Sequence, residues 1–229
     1  MAINPDDFPP GTFTELSLFP LNNVVLFPGM PLPLHIFEER YKAMIGDCVQ
    51  REEPFGVLLI KEGNEVGEPA SPHSVGTTAR ISQVQRLEEG RMNILTRGEQ
   101  RFELLETVRT TPHLVGLVRY IEDEEGVVST TTVAGVREQY VQLQRYLTAM
   151  AGGWDREVSV PDDPSELARR SAVSLAVSLP LPPDVRQSLL ETRTAGEQLE
   201  KLLTMMRQAN RIVADQVEQN SPFKGARLN

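Results

Sequence analysis

The side chains of this chain that could do chemistry near neutral pH are its three histidines, its single cysteine and a few paired acids. His35, His73 and His113 stand apart, in a Pro-rich segment, a loop and a strand edge, without the i, i+4 spacing or cysteine partners that zinc ligation needs. Structural or solvent roles follow for all of them, and no metal is expected. Cys48 has no partner for an internal disulfide, and its place on an apolar helical face makes it an inert buried thiol. Glu38-Glu39 and Glu88-Glu89 are adjacent in sequence, so their carboxylates diverge and form no acid–base pair. Asp162-Asp163 suits a helix cap, and the acidic run Glu122 to Glu125 suits a solvated linker better than a metal site. The phosphate-cradling pattern GxxxxGK followed by Ser or Thr occurs nowhere; Gly63 and Gly67 belong to an exposed loop without the lysine. No catalytic residue and no cofactor are expected.

Binding is the chemistry left, and the Pro28 to Leu32 loop is its best candidate. Phe27, Pro28, Met30, Pro31 and Leu32 combine apolar surface, an adaptable thioether and a Pro-Gly turn that belongs at a surface. Exposed together, they form an apolar patch suited to unfolded segments; the alternative puts Phe27 and Leu32 in the core. In RGEQRF, Gly98 is expected to allow a turn, Phe102 to enter the core, and Arg97 and Arg101 to pair with nearby carboxylates.

The elements that position this loop are strands. Val24 to Phe27 is a short apolar run of the kind a covered strand uses, broken by Pro28-Gly29. Leu32, Leu34 and Ile36 alternate with Pro31, Pro33 and His35 as a second extended piece, which its prolines confine to a sheet edge or coil. From about Glu38 to Arg51 the period becomes helical, with Tyr41, Met44, Ile45, Cys48 and Val49 on one face. Further strands are expected at Phe55–Ile60, Thr77–Leu87, Arg91–Arg97, Arg101–Arg109 and His113–Ile121, with turns at Glu88-Glu89-Gly90 and Gly98-Glu99-Gln100. Beyond Gly126 the pattern is helical. Val133 to Leu147, Leu167 to Leu179, Val185 to Leu190 and Leu199 to Val217 each carry an apolar stripe, with Asp163-Pro164 and Thr194/Glu197 as helix starts. These four helices should pack on one another and partly on the strands, with Trp154 against them.

The stretch FPLNNVVLFPGMPLPLHIFEERY resembles the opening signature of the Lon protease N-terminal, substrate-binding domain family. PFGVLLI at Pro54 to Ile60, VGTTARI at Val75 to Ile81 and RMNILTRGEQRFEL at Arg91 to Leu104 continue the match in the family's order, and DDPSELA at Asp162 to Ala168 is a looser echo. The resemblance implies an α+β fold: a curled, PUA-like pseudo-barrel with one helix, followed by a helical bundle. The organisation expected is a lead-in over 1–15, a β-rich subdomain over 16–125, a bundle over 126–219 and a tail over 220–229. It also implies a stand-alone binding module without the ATPase motor or the Ser-Lys protease domain, whose motifs do not occur here.

Composition agrees with a globular chain, at 40% hydrophobic and 24% charged. A formal net charge of -9 disfavours nucleic acid as a partner, because phosphate binding draws on concentrated Lys and Arg. The start, MAINPDDFPPG, lacks the basic and apolar regions of a signal peptide, and no apolar run approaches the ~20 residues of a membrane span. The expectation is a cytoplasmic protein that recognises exposed apolar polypeptide or a protein partner in quality control. The alternatives are RNA binding by a PUA-like domain and small-molecule binding between subdomains.

Overall fold

A computed structural model describes residues 13–62, 71–124, 126–151 and 157–220, with side chains through Ala214. Most of the expected lead-in, Gly63 and Gly67, Trp154 and the tail past 220 lie outside the described residues. The chain forms two compact units. One comprises residues up to Glu122 together with Pro182–Glu191; the other comprises Asp123–Leu181 and the residues from Thr192 onward.

The first unit holds β1 (Thr14–Leu21), β2 (Pro31–Ile36), α1 (Glu39–Arg51), β3 (Phe55–Glu62), β4 (Ser71–Pro72), β5 (Val75–Arg86), β6 (Met92–Arg109), β7 (Leu114–Tyr120) and α4 (Pro183–Leu190). Strand order runs β1-β7-β6-β5-β3-β4, and β1 also pairs with β3 in parallel, which closes the sheet on itself. Closure removes most of the sheet's free edges, which would otherwise be open to pairing with other chains. Phe102, Leu16, Leu18, Leu58 and Val118 fill one core. A second core lies beneath α1, where Tyr41, Met44, Ile45 and Cys48 meet Phe19, Phe55, Ile36, Met92 and Ile94. Phe19 stacks on Tyr41 at 4.0 Å between ring centroids, and Arg40 lies over the same Tyr41 ring at 4.5 Å.

Two expectations about strands are overturned. Val24 to Phe27 is not a strand, although Val25, Leu26 and Phe27 are buried. Its carbonyls are bound by a side chain and a turn: Thr77 Oγ1 donates to Leu26 O at 2.6 Å, and Met30 N donates to Phe27 O at 3.0 Å. Gly98 is not a turn either, for β6 runs unbroken through it from Met92 to Arg109. Here glycine serves close approach: a β-carbon on Gly98 would stand 2.3 Å from Phe27 O. The Glu88–Gly90 turn between β5 and β6 is a single 3-10 turn with Glu89 at φ 58° and Gly90 at φ 71°, as the hairpin reading requires.

Helix α4 belongs to the strand unit, whereas its sequence position had assigned it to the bundle. Its Leu189 and Leu190 are buried, and three polar bonds tie it to the strands. Buried Arg101 of β6 donates from Nη1 to Leu190 O at 2.6 Å, at the helix end where carbonyls lack intrahelical partners. Gln187 Nε2 donates to Val75 O at 2.9 Å, and Arg186 Nη2 to Asn23 O at 2.7 Å. An eight-residue helix has too little intrinsic stability to stand without such tertiary bonds.

The second unit contains α2 (Thr130–Met150), α3 (Pro164–Ser178) and α5 (Ala195–Asn220), each packed on the other two. Val136, Tyr140, Leu143, Leu167, Leu175, Leu199, Leu202 and Met206 are its buried stripe residues. Asp163 caps α3 by accepting from Glu166 N at 2.7 Å, and Thr194 Oγ1 accepts from Glu197 N at 3.3 Å at the start of α5. No helix among the described residues is long and apolar enough to cross a membrane.

Two outcomes test this packing. Gly98→Ala forces backbone against backbone and should cost about 1–3 kcal/mol in urea unfolding; an unchanged midpoint would mean the Phe27 carbonyl moves freely. Burial, with Glu53 and Asp47 adding to it, pushes the Cys48 thiol up to about 11 from 9.0. Its contribution to stability is therefore complete below about pH 9 and is lost as pH rises through about 11. A disulfide reagent at pH 7.5 should label native Cys48 on the order of a hundredfold more slowly than the urea-unfolded chain. Equal rates would show the thiol to be open to solvent.

Candidate functional site

The Pro28 to Leu32 loop is held in place by backbone bonds on both sides. Gly29 N donates to Gly98 O at 2.8 Å and Gly98 N donates to Met30 O at 2.9 Å, while Gly29 takes a φ of 88°. Of the five residues singled out in sequence, Phe27 is 2% exposed and Leu32 is 8% exposed, so both are core. Strand alternation explains Leu32, which turns inward while its carbonyl accepts from Thr96 Oγ1 at 2.9 Å. Pro28 and Met30 are half-buried, Met30 against the core beneath α1, and Pro31 is exposed.

What reaches solvent is larger than the loop. Strands β2, β6 and β5 lie side by side, and residues directly opposite one another share a face. Leu34, Ile94 and Val84 form one inward row. The outward rows are Pro31, Arg97 and Arg80; then Pro33, Leu95 and Gln83; then His35, Asn93 and Gln85. Phe37, 55% exposed, continues the outward side of β2 and stacks on His35 at 6.0 Å between ring centroids. Asn93 Nδ2 donates to Gln85 Oε1 at 3.2 Å, which leaves Asn93 Oδ1 to accept from His35 Nδ1 at 2.7 Å. This polar ladder lies between Pro31, Pro33 and Leu95 on one side and Phe37 on the other, while half-buried Met30 packs against the core at the loop end. The alternation that would have exposed Phe37 was present in PLPLHIF, but the run ended one residue too early to include it.

The two arginines of RGEQRF have separate fates. Arg101 is the buried anchor of α4, donating to the Leu190 carbonyl. Arg97 is exposed and makes no ion pair with any described residue, while Arg80 beside it is held by Glu99 at 2.6 Å and by the Glu52 carbonyl at 2.7 Å.

His113 Nε2 lies 3.2 Å from Ser17 Oγ, and burial, with Arg109 adding to it, holds its imidazole below the ordinary range and neutral. Its Nδ1 has no hydrogen-bond partner among the described residues, so no third group orients the ring as a base would require. Among the described residues no three His, Cys, Asp or Glu side chains converge as metal ligands.

Comparison with known proteins places this geometry. Residues 15–208 match the family described as the ATP-dependent protease La (LON) substrate-binding domain. A Lon protease of Anaeromyxobacter dehalogenans is 26% identical over 232 residues, which cover 98% of this chain and 26% of that protein. Lon protease 2 of Myxococcus xanthus is 25% identical over 230 residues, covering 97% and 26%. The chain therefore spans about a quarter of the length of the curated relatives it matches. Among solved structures, a Lon N-terminal domain protein from Xanthomonas campestris is 30% identical with a TM-score of 0.63, covering 83% of this chain and 98% of that one. The N-terminal domain of a Mycobacterium avium complex Lon protease shares the fold at a TM-score of 0.59 and 24% identity, covering 85% and 98%. With the match extending from β1 into α5, the chain belongs to the Lon substrate-binding domain family.

Proposed function

We propose that this chain is a cytoplasmic polypeptide-binding module that grips exposed apolar segments of unfolded chains, or an apolar segment of a protein partner, in protein quality control. It does so without cutting them: the part of the Lon relatives that it matches is their substrate-binding domain. The loop residues Pro28, Met30 and Pro31 contribute directly, and buried Phe27 and Leu32 act by holding them. The observation that carries this reading is the outward apolar surface of Pro31, Pro33, Leu95 and Phe37, beside half-buried Met30, on a sheet whose opposite face is a packed core. A surface fixed this rigidly loses little conformational freedom on binding, which favours affinity for segments whose sequences vary. Proline rings and an aromatic ring also present wide, shallow contact surface instead of a shaped pocket, suited to many sequences of similar polarity.

Anisotropy of a fluorescently labelled, permanently unfolded model protein tests it. Phe37→Asp and Met30→Asp change partly exposed positions and should each weaken binding about tenfold, or ~1.4 kcal/mol, with circular dichroism unchanged. Undiminished binding by both folded variants would remove this face as the site.

A further inference from the structure

Two of the sheet's unpaired edges differ in what they offer. Edge strand β2 carries Pro31 and Pro33, which have no N–H to offer an incoming strand. That edge is closed to strand addition. The other edge is the far half of β5. From Arg80 to Arg86 it pairs with β6 on one side, while its pairing with β3 on the other side ends at Ala79. No described backbone group bonds to that open side, and no proline or lysine blunts it. A bulge at Ser82 interrupts the pairing with β6, and from Gln83 to Arg86 alternate residues turn an amide and a carbonyl outward.

This open edge forms one wall of a groove of about 340 Å³ whose other wall is the C-terminal end of α1. Its floor is apolar, with Cys48 and Val49 from the helix facing Ile81 and Val84 from the strand. Its rim is acidic: Glu52 and Glu53 line it, and neither carboxylate makes an ion pair among the described residues. The one cation in the lining, Arg80, is neutralised by Glu99 at 2.6 Å and fixes the wall by donating to Glu52 O. Backbone donors and acceptors along one side, an apolar floor and a negative rim together specify an occupant. It is an extended polypeptide segment with apolar side chains alternating with Lys or Arg.

The geometry points to β-strand addition at Arg80–Arg86 as a second grip on client polypeptide, selective for segments in which basic and apolar residues alternate. This deepens the polypeptide-binding reading and rests on it. Main-chain bonding to β5 supplies affinity independent of sequence, while the floor and rim supply the preference.

Three labelled peptides test it by fluorescence anisotropy: one alternating Val and Lys, one alternating Val and Glu, and the Val-Lys peptide N-methylated at every second amide. The Val-Lys peptide should bind at least tenfold more tightly than the other two. Glu52→Lys with Glu53→Lys should reverse the charge preference. If N-methylation and the double charge reversal change nothing while the unfolded model protein still binds, the edge is not a site and the outer face alone grips clients. If neither these peptides nor the unfolded model protein binds the unaltered chain, both readings fall together.

Discussion

The close approach of the Phe27 carbonyl to Gly98 is the contact on which the rest of the binding unit depends. Two backbone hydrogen bonds, from Gly29 to Gly98 and from Gly98 to Met30, clamp the loop against the middle of β6. No β-carbon fits between them. Because the loop cannot shift along β6, the first residue of β2 is fixed opposite Arg97, and every later pair follows from it. A slip of one residue would turn Leu32, Leu34 and Ile36 to solvent and Pro31, Pro33 and His35 into the core. The outward apolar surface is therefore a consequence of one backbone contact as much as of its own side chains.

Strand β6 also connects the two cores. Its first half supplies Met92 and Ile94 to the core beneath α1, and its second half supplies Phe102 to the closed part of the sheet. Gly76 of β5 lets Phe102 seat, since a β-carbon there would meet the Phe102 ring at 2.8 Å and the Val57 carbonyl at 2.3 Å. Next to Phe102, Arg101 is buried, and its guanidinium closes the C-terminal end of α4. Burying a guanidinium is unfavourable without partners, so the bond to Leu190 makes α4 part of the strand unit rather than an appendage.

A rigid, shallow apolar surface and an open strand edge make different demands on a ligand. The surface asks for apolar side chains and is indifferent to backbone conformation; the edge asks for an extended backbone and tolerates varied side chains. Unfolded chains meet both conditions, and folded proteins seldom meet either. In the proposed reading, selection for the unfolded state arises from this pairing without recognition of any particular sequence.

Local order was fixed by the sequence itself. The period of Tyr41, Met44, Ile45 and Cys48 sufficed for α1, Asp163-Pro164 for the start of α3, and Glu88 to Gly90 for the hairpin, because these signals act within a few residues. The four blocks from Phe19 to Leu104 carried the family for the same reason: each is a contiguous pattern. Tertiary structure decided whatever depends on a distant partner. Gly98 looked like a turn because the carbonyl that needs its missing side chain lies some seventy residues earlier in the chain, at Phe27. The run Val24 to Phe27 looked like a strand because burial alone does not reveal whether a backbone bonds to a neighbouring strand or to the Thr77 hydroxyl. Arg101 gave no sign of its helix, and β5 gave no sign that its second half lacks a neighbour, since pairing between remote segments leaves no period in either of them.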